Sequence, residues 1–195
     1  IRHKSAFDRR DFRAQKESLA KGKRAMPSTD KTPLVTPILI AGSVVLMLSF
    51  AIRASFGMFQ IPIATEFGWP RAEFSLAIAI QNLAWGIGQP LFGAFAERLG
   101  DRRAILLGAV FYAAGLIGSS FAVTPGAHQL LAVIVGFGIA GTGFGVILAI
   151  VGRATSAENR SMALGIATAA GSAGQVIGAP FAEVLLQSYP WQTVF

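Results

Sequence analysis

The chain has 195 residues, of which 53% are hydrophobic, only 14% are charged and none is cysteine. A soluble domain usually carries about 25% charged residues, so a water-soluble globule of this composition could not cover its surface with polar groups. Without cysteine, disulfides, thiol catalysis and cysteine-based metal sites are excluded in this sequence. Apolar runs close to the roughly 20 residues of a membrane-spanning helix alternate with short charged segments, which indicates an integral membrane protein.

The net charge of +7 is concentrated at the start of the chain, where residues 1–25 hold nine Lys and Arg residues and three acids. This position argues against a nucleic-acid partner, because a basic segment ahead of a first span usually orients that span or contacts anionic lipid. We interpret residues 1–35 as a disordered basic cytoplasmic tail. The chain begins with Ile1, and Met26 resembles a start residue, so residues 1–25 need not be native and are kept out of the fold prediction.

Five membrane spans and the start of a sixth are predicted in residues 36–195, which we expect to form a transmembrane N-terminal half-domain. Their approximate bounds are 37–59, 74–96, 104–123, 128–151 and 162–186, followed by 191–195. Cytoplasmic loops carry an excess of Lys and Arg, which predicts the orientation. With the N-terminus inside, all Lys and Arg except Arg53 and Arg71 fall in the tail and in the loops 98–103 and 153–160.

Arg53 lies about two-thirds of the way through the first predicted span, where an ionised side chain is costly and normally faces a cavity or a partner. One interpretation is an anion-binding or gating residue in a central cavity. The alternative is that the long side chain snorkels to the outer headgroups, because few residues separate Arg53 from the predicted end of the span. The position alone leaves both interpretations open.

Polar side chains mark the second predicted span. Gln81, Trp85 and Gln89 are spaced by four residues and therefore share one helical stripe, with Asn82 beside it. Such a stripe can line a substrate-binding cavity, or it can supply hydrogen bonds between helices without touching a substrate. Pro90, directly after the stripe, predicts a kink in this helix.

The second span ends in a segment with distinct residue types at fixed offsets: Gly93, Glu97, Arg98, Gly100, Asp101, Arg102 and Arg103. Gly93 lets another helix approach closely, and Glu97 needs a cationic or helix-dipole partner at the membrane boundary. Gly100 allows a tight reversal of the chain. A loop that is merely positive-inside is the alternative, which the fixed offsets of these residues disfavour.

Spans 4 and 5 are rich in glycine. Residues 136–141 have the letters of a dinucleotide-binding fingerprint, but continuous apolar sequence surrounds them and no strand precedes them, so we reject a nucleotide site. Gly141 with Gly145, and Gly174 with Gly178, form two Gly-x-x-x-Gly pairs that predict close helix packing. No nucleophile–base pair, metal cluster or phosphate loop is recognised in the sequence, so we expect neither catalysis nor a cofactor nor a metal.

The segment 93–103 resembles the loop 2–3 signature of the major facilitator superfamily, whose pattern is Gly-x-Leu-Ala-Asp-Arg-x-Gly-Arg-Lys/Arg. Phe95 stands for Leu and Glu97 for Asp, and both changes are mild. Asp101 stands where the family usually has a basic residue, and this reverses a charge. The salt bridges that are usual in this loop are therefore expected to be altered, with Arg102 and Arg103 as compensating cations.

Three further segments, residues 53–59, 69–75 and 160–180, look like the monocarboxylate-transporter-like branch of that superfamily, which has bacterial members. The resemblance covers about residues 34–195. It implies twelve spans in two six-span halves, with a substrate cavity between them. The chain would then hold most of the first half, and the missing C-terminal half of the same protein would be its partner.

The resemblance implies an all-α membrane protein, an incomplete six-helix N-terminal bundle, which moves a small solute by alternating access. The loop 93–103 would act as a cytoplasmic latch between the halves. A small organic anion such as a monocarboxylate is the favoured solute. Multidrug or other solute efflux, and a non-transporting membrane fragment, are the alternatives. We expect the bilayer and a solute as partners, no nucleic acid, no enzyme activity, and a location in the bacterial inner membrane.

Overall fold

The computed structural model describes residues 33–195, and every regular element in this part of the chain is a helix. The elements are α1 Pro37–Ser55, a 3-10 segment Phe56–Phe59, α2 Gln60–Phe67, α3 Arg71–Leu99, α4 Asp101–Ser120, α5 Pro125–Thr142, α6 Phe144–Ala154, α7 Arg160–Leu186 and α8 Trp191–Val194. The predicted all-α fold is therefore confirmed. Most of the predicted basic tail, residues 1–32, lies outside the described residues.

Threonine–proline pairs begin two of the membrane helices. Thr36 accepts a hydrogen bond from the Leu39 amide at 3.2 Å at the start of α1, and Thr124 accepts one from the Ala127 amide at 3.3 Å at the start of α5. In both helices proline is the next residue, where its missing N–H costs no hydrogen bond. These helix starts are therefore encoded locally.

Gly100 is the single residue between α3 and α4. Its φ of 100° is a backbone conformation that residues with a Cβ rarely adopt. The tight reversal predicted at this position consequently occupies one residue, and α4 returns directly beside the end of α3.

Four stretches of the described residues are long and apolar enough to cross a membrane: Pro37–Phe67, Asp101–Ser120, Pro125–Ala154 and Arg160–Leu186. The first stretch is longer than predicted, because the chain continues as 3-10 and α-helix past the predicted end at Phe59. The predicted end of the first span at residue 59 is therefore wrong, because residues 60–67 continue it as helix. As a result, Arg53 lies deeper within the helical rod than its sequence position suggested.

Helix α3, the second predicted span, has 29 residues but is not among those four stretches. Its middle carries Gln81, Asn82 and Gln89, which lower its apolar character. It remains helical through Pro90 and packs closely on α5. We keep α3 as a spanning helix, since its polar side chains face other helices and its outer face is apolar, as at Leu83.

Glycines set the close contact between α1 and α7. A Cβ on Gly174 would overlap with the Met47 carbonyl oxygen, and a Cβ on Gly178 would overlap with the Ala51 carbonyl oxygen one turn later. The second predicted glycine pair thus lies where two helix backbones touch. Small residues permit such contact in membrane bundles, where van der Waals packing drives helix association.

Glycines also set the contacts of α5 with α4 and α3. A Cβ on Gly108 of α4 would lie 2.7 Å from the Cα of Gly141 in α5. A Cβ on Gly136 of α5 would meet the Gln81 carbonyl oxygen and the Ala84 side chain of α3. The stretch that contains α5 is accordingly the most enclosed of the four, with 56% of its apolar window buried against 28% in each of the others.

The fourth span is broken near its middle. Gly143 separates α5 from α6 in an extended conformation, with φ −93° and ψ −171°. The Gly143 carbonyl oxygen then accepts from the Ile147 amide at 3.2 Å, so a new helix begins at this point. The prediction of one continuous helix over 128–151 is wrong here. The break is tolerated because surrounding helices, rather than lipid, cover it.

Large apolar side chains cover the outside of the bundle. Exposed examples on α1, α3, α4 and α7 are Leu48, Leu83, Leu91, Val110 and Val176. Soluble monomers rarely expose apolar surface so widely. Together with the four membrane-length stretches, this surface identifies an integral membrane protein.

Candidate functional site

Arg53 lies in the last turn of α1 and points across to α3. Its Nη2 donates to the Asn82 Oδ1 at 2.8 Å, and its guanidinium carbon lies 4.9 Å from the centre of the Trp85 ring. Asn82 is oriented by its own amide nitrogen, which donates to the Ile78 carbonyl oxygen at 3.0 Å. The positive charge is thus directed into the bundle, where a cation–π contact adds to the hydrogen bond.

Two nitrogen atoms of this site are buried and unpaired. The Arg53 Nε and the Trp85 Nε1 have no hydrogen-bond partner among residues 33–195. A buried donor without a partner costs about 1–3 kcal/mol, so native proteins leave few of them. Because both groups donate and cannot accept, they favour a ligand with acceptor atoms.

The first turn of α6 borders the same side chains. A Cβ on Gly143 would lie 3.5 Å from the Trp85 Nε1, and a Cβ on Gly145 would overlap with the Gln89 Oε1. The N-terminus of a helix carries a partial positive charge, because its first N–H groups have no partner within the helix. The start of α6, Arg53 and the Trp85 N–H therefore bring positive potential and hydrogen-bond donors to one region.

An aromatic frame holds Trp85 in place. Phe50 of α1 meets the Trp85 ring edge-on at 6.0 Å between centroids, and Phe50 in turn packs on Phe144 of α6 at 4.3 Å. Trp85 also borders three of the hydrophobic clusters that form the core of the bundle. The site is consequently built where α1, α3 and α6 converge.

The predicted stripe on α3 divides in the structure. Asn82, Trp85 and Gln89 face α1 and α6, whereas Gln81 is 3% exposed and lines a separate cavity with residues of α4 and α5. The equal four-residue spacing predicted that Gln81 shares a face with Trp85 and Gln89. In the structure Gln81 contacts different helices, because different neighbours pack on adjacent faces of α3. Sequence reasoning also missed Gly143, although three glycines within residues 141–145 were a usable signal of a break.

The segment 93–103 comprises the end of α3, the Gly100 reversal and the start of α4, at one end of the bundle. Asp101, in the first turn of α4, pairs with Arg153 in the last turn of α6. Each charge lies at the helix end whose dipole it complements. Glu97, Arg98, Arg102 and Arg103 are exposed. A Cβ on Gly93 would meet no atom within 4 Å, so its face of α3 is open in this part of the chain.

The sequence profile of the Major Facilitator Superfamily matches residues 40–195, which is most of the chain. The chain belongs to this superfamily. Helices α1–α7 and the turn over 93–103 are therefore parts of a major-facilitator bundle, and the resemblance inferred from residues 93–103 is confirmed. The helices of the described part form a partial bundle of this superfamily.

Curated relatives in the superfamily include transporters of different named classes. The bovine monocarboxylate transporter 13 is 31% identical over 147 residues, which are 74% of this chain and 34% of the relative. An uncharacterized MFS-type transporter of Bacillus subtilis is 30% identical over 150 residues, or 73% of this chain and 35% of the relative. The multidrug efflux pump LfrA of Mycolicibacterium smegmatis is 27% identical over 176 residues, or 87% and 34%. The chain spans about a third of the length of these relatives.

Proposed function

We propose that the chain is part of a secondary transporter that moves a small organic anion, such as a monocarboxylate, by alternating access. The observation that carries the proposal is the pair of unpaired donors, Arg53 Nε and Trp85 Nε1, within one site. A carboxylate has a negative charge and two acceptor oxygens, so it is the kind of ligand that such donors bind through charge-assisted hydrogen bonds. The likeness to monocarboxylate transporter 13 supports the same class of solute.

Charge balance at the site supports an anion as well. Among the described residues no carboxylate pairs with Arg53, whose hydrogen-bonding partner is the neutral amide of Asn82. An ionised group inside a membrane protein normally has a counter-charge or faces a water-filled cavity. A bound carboxylate would supply the counter-charge, and the positive end of α6 would add to the attraction.

The substrate cavity would lie between this bundle and a second one. Since the relatives are about three times as long as the matched segment, we assign the opposite wall to a C-terminal half of the same protein. The exposed Glu97, Arg98 and Arg102 and the open face at Gly93 would contact that half when the cytoplasmic gate is closed. Opening of the gate would release them, so the segment would act as a latch.

We further propose that the N-terminus and the loops 98–103 and 153–160 face the cytoplasm, in a bacterial inner membrane. The Lys and Arg bias supports this orientation, and the Asp101–Arg153 pair is consistent with both loops lying at the same end. Because the chain has no cysteine, single-cysteine labelling of intact cells tests the proposal. A cysteine at Arg98 should resist an impermeant reagent, whereas one at Gln187 should react. The opposite pattern would overturn the orientation.

The Trp85→Phe variant of the complete transporter tests the proposed site. Phenylalanine keeps a ring beside Arg53 and Phe50 but removes the N–H. We expect the KM for an anionic solute to rise about 10-fold, since a hydrogen bond to a charged group contributes roughly 1.5–3 kcal/mol. Trp69→Phe is the matched control, because Trp69 stacks on Phe67 away from the site. An unchanged KM in Trp85→Phe would contradict the proposal.

Efflux of apolar compounds is a second candidate, which a different cavity favours. A cavity of about 350 Å³ lies beside α1, the 3-10 segment and α7, and its lining is apolar, with Phe56, Phe181 and Phe195 among the side chains. The likeness to the multidrug efflux pump supports this reading. Such transport would not need Arg53. Export of an apolar dye that persists in Arg53→Ala, together with no anion uptake by the native protein, would favour it over the anion.

A further inference from the structure

Three polar side chains from three helices line one small cavity apart from the Arg53 site. They are Gln81 of α3, Ser119 of α4 and His128 of α5, with exposures of 3%, 2% and 4%. The remaining walls are apolar, with Phe56 and Val135 among them. Three hydrogen-bonding groups from three helices therefore meet within a lining that is otherwise apolar.

Within residues 33–195 no hydrogen bond joins any of these three side chains to another protein group, and their polar atoms keep a little accessible surface, as expected for atoms that line a cavity. The His128 ring packs against the aromatic rings of Trp69, Phe74 and Phe195. Buried polar groups in native proteins are almost always paired with protein or with ordered water. Three unpaired groups around one cavity therefore point to a bound ligand that hydrogen-bonds to all three.

We propose that one water molecule binds in this cavity and bridges Gln81, Ser119 and His128. The cavity has a volume of about 10 Å³, which is the room that a single water requires, and buried waters make about three hydrogen bonds. Water can donate to the imidazole or the amide oxygen and accept from the hydroxyl, so it matches neutral groups of either kind. A metal cation fits poorly, because the lining offers no carboxylate and only two side-chain oxygens.

The water would join α3, α4 and α5 through the three side chains that line the cavity. It would bind whether or not the protein transports anions. In a membrane such a bridge replaces hydrogen bonds that lipid cannot supply, and it holds the three helices in one register.

A structure of the purified protein at a resolution that shows ordered water tests the site directly. We expect a density peak within about 3.2 Å of a polar atom of each of the three side chains. Rotation of the three side chains into hydrogen bonds with one another or with the backbone, without such a peak, would overturn the proposal.

A double-mutant cycle tests the bridge in solution. Ser119→Ala removes the hydroxyl, and His128→Phe keeps a ring against Phe74 but removes both nitrogens. We expect each change to lower the apparent Tm by about 2–4 °C, and the double variant to lose less than the sum, because the second change removes a water that is already weakly held.

The control cycle pairs His128→Phe with Ser120→Ala. The Ser120 hydroxyl donates to the Ile117 carbonyl oxygen at 2.7 Å, so it belongs to its own helix and not to the cavity. These two changes should be additive. Additivity in the Ser119 cycle as well, with folded single variants, would show that Ser119 and His128 share no ligand.

Discussion

Two faces of helix α3 carry polar residues and differ in how tightly they are packed. On the face toward α5, Gln81, Ala84 and Gly88 are buried, and a Cβ on the opposing Gly136 would overlap with the backbone of α3. On the face toward α1 and α6, Asn82 and its neighbours are half-buried, and unpaired donors remain. The cavity on the first face has room for no more than a water, whereas the second face has two donors without a partner among residues 33–195.

The contrast depends on a single step along the chain. Consecutive residues of an α-helix are turned by about 100°, so Gln81 and Asn82 contact different neighbours although both are amides. Close packing by glycine fixes the rotation of α3 about its axis. That rotation in turn decides that Asn82, and not Gln81, meets Arg53. Packing on one face therefore positions the proposed site on the other.

The largest expected effect comes from testing the chain by itself. The packing face of α3 is complete within the chain, whereas the proposed cavity needs a second half. We expect the 195-residue chain, purified and reconstituted in liposomes, to keep its helical circular dichroism but to show no saturable uptake of labelled monocarboxylates. The complete transporter in the same liposomes is the control. Saturable, Arg53-dependent uptake by the chain alone would contradict the two-half cavity.

A second large effect is expected at the face of α3 toward α1 and α6, where Arg53 lies. Arg53→Ala in the complete transporter should lower kcat/KM for an anionic solute about 100-fold, because a desolvated charge contact contributes roughly 2–5 kcal/mol. Arg53→Lys should retain part of the lost kcat/KM, because lysine keeps the positive charge but lacks the guanidinium that binds a carboxylate through two hydrogen bonds. Membrane insertion should not change. Arg71→Ala, at the exposed start of α3, is the matched control. Uptake equal to the native protein would leave the anion proposal without support.

A smaller effect, on stability alone, is expected at the packing face. Gly88→Ala would place a Cβ 2.7 Å from the Ala140 Cβ, and such overpacking costs about 1–3 kcal/mol. Gly86→Ala on the same helix meets nothing within 4 Å and should be neutral or stabilising by up to about 1 kcal/mol. Thermal unfolding of both variants measures the difference. Equal stability of the two variants would contradict the assignment of this face to packing. A raised KM in Gly88→Ala with unchanged stability would contradict it as well.

The amino-acid sequence by itself determined the class of protein and most helix positions. Long apolar runs require a bilayer whatever their neighbours are, and Thr–Pro pairs at 36–37 and 124–125 begin helices through contacts within four residues. Gly100 could be assigned to the reversal because the chain changes direction between two apolar runs. The family was recognisable from 93–103, since its residue types and offsets are local features.

Only the tertiary structure decided what the polar residues contact. The partner of Arg53 is 29 residues away on α3, and the division of Gln81 from Asn82 follows from the rotation of that helix. The break at Gly143 and the helical continuation to Phe67 likewise depend on neighbouring helices that cover the backbone. Hydropathy and residue spacing describe one helix at a time. Contacts between helices depend instead on which small residues allow two backbones to meet, and this is a property of the packed bundle.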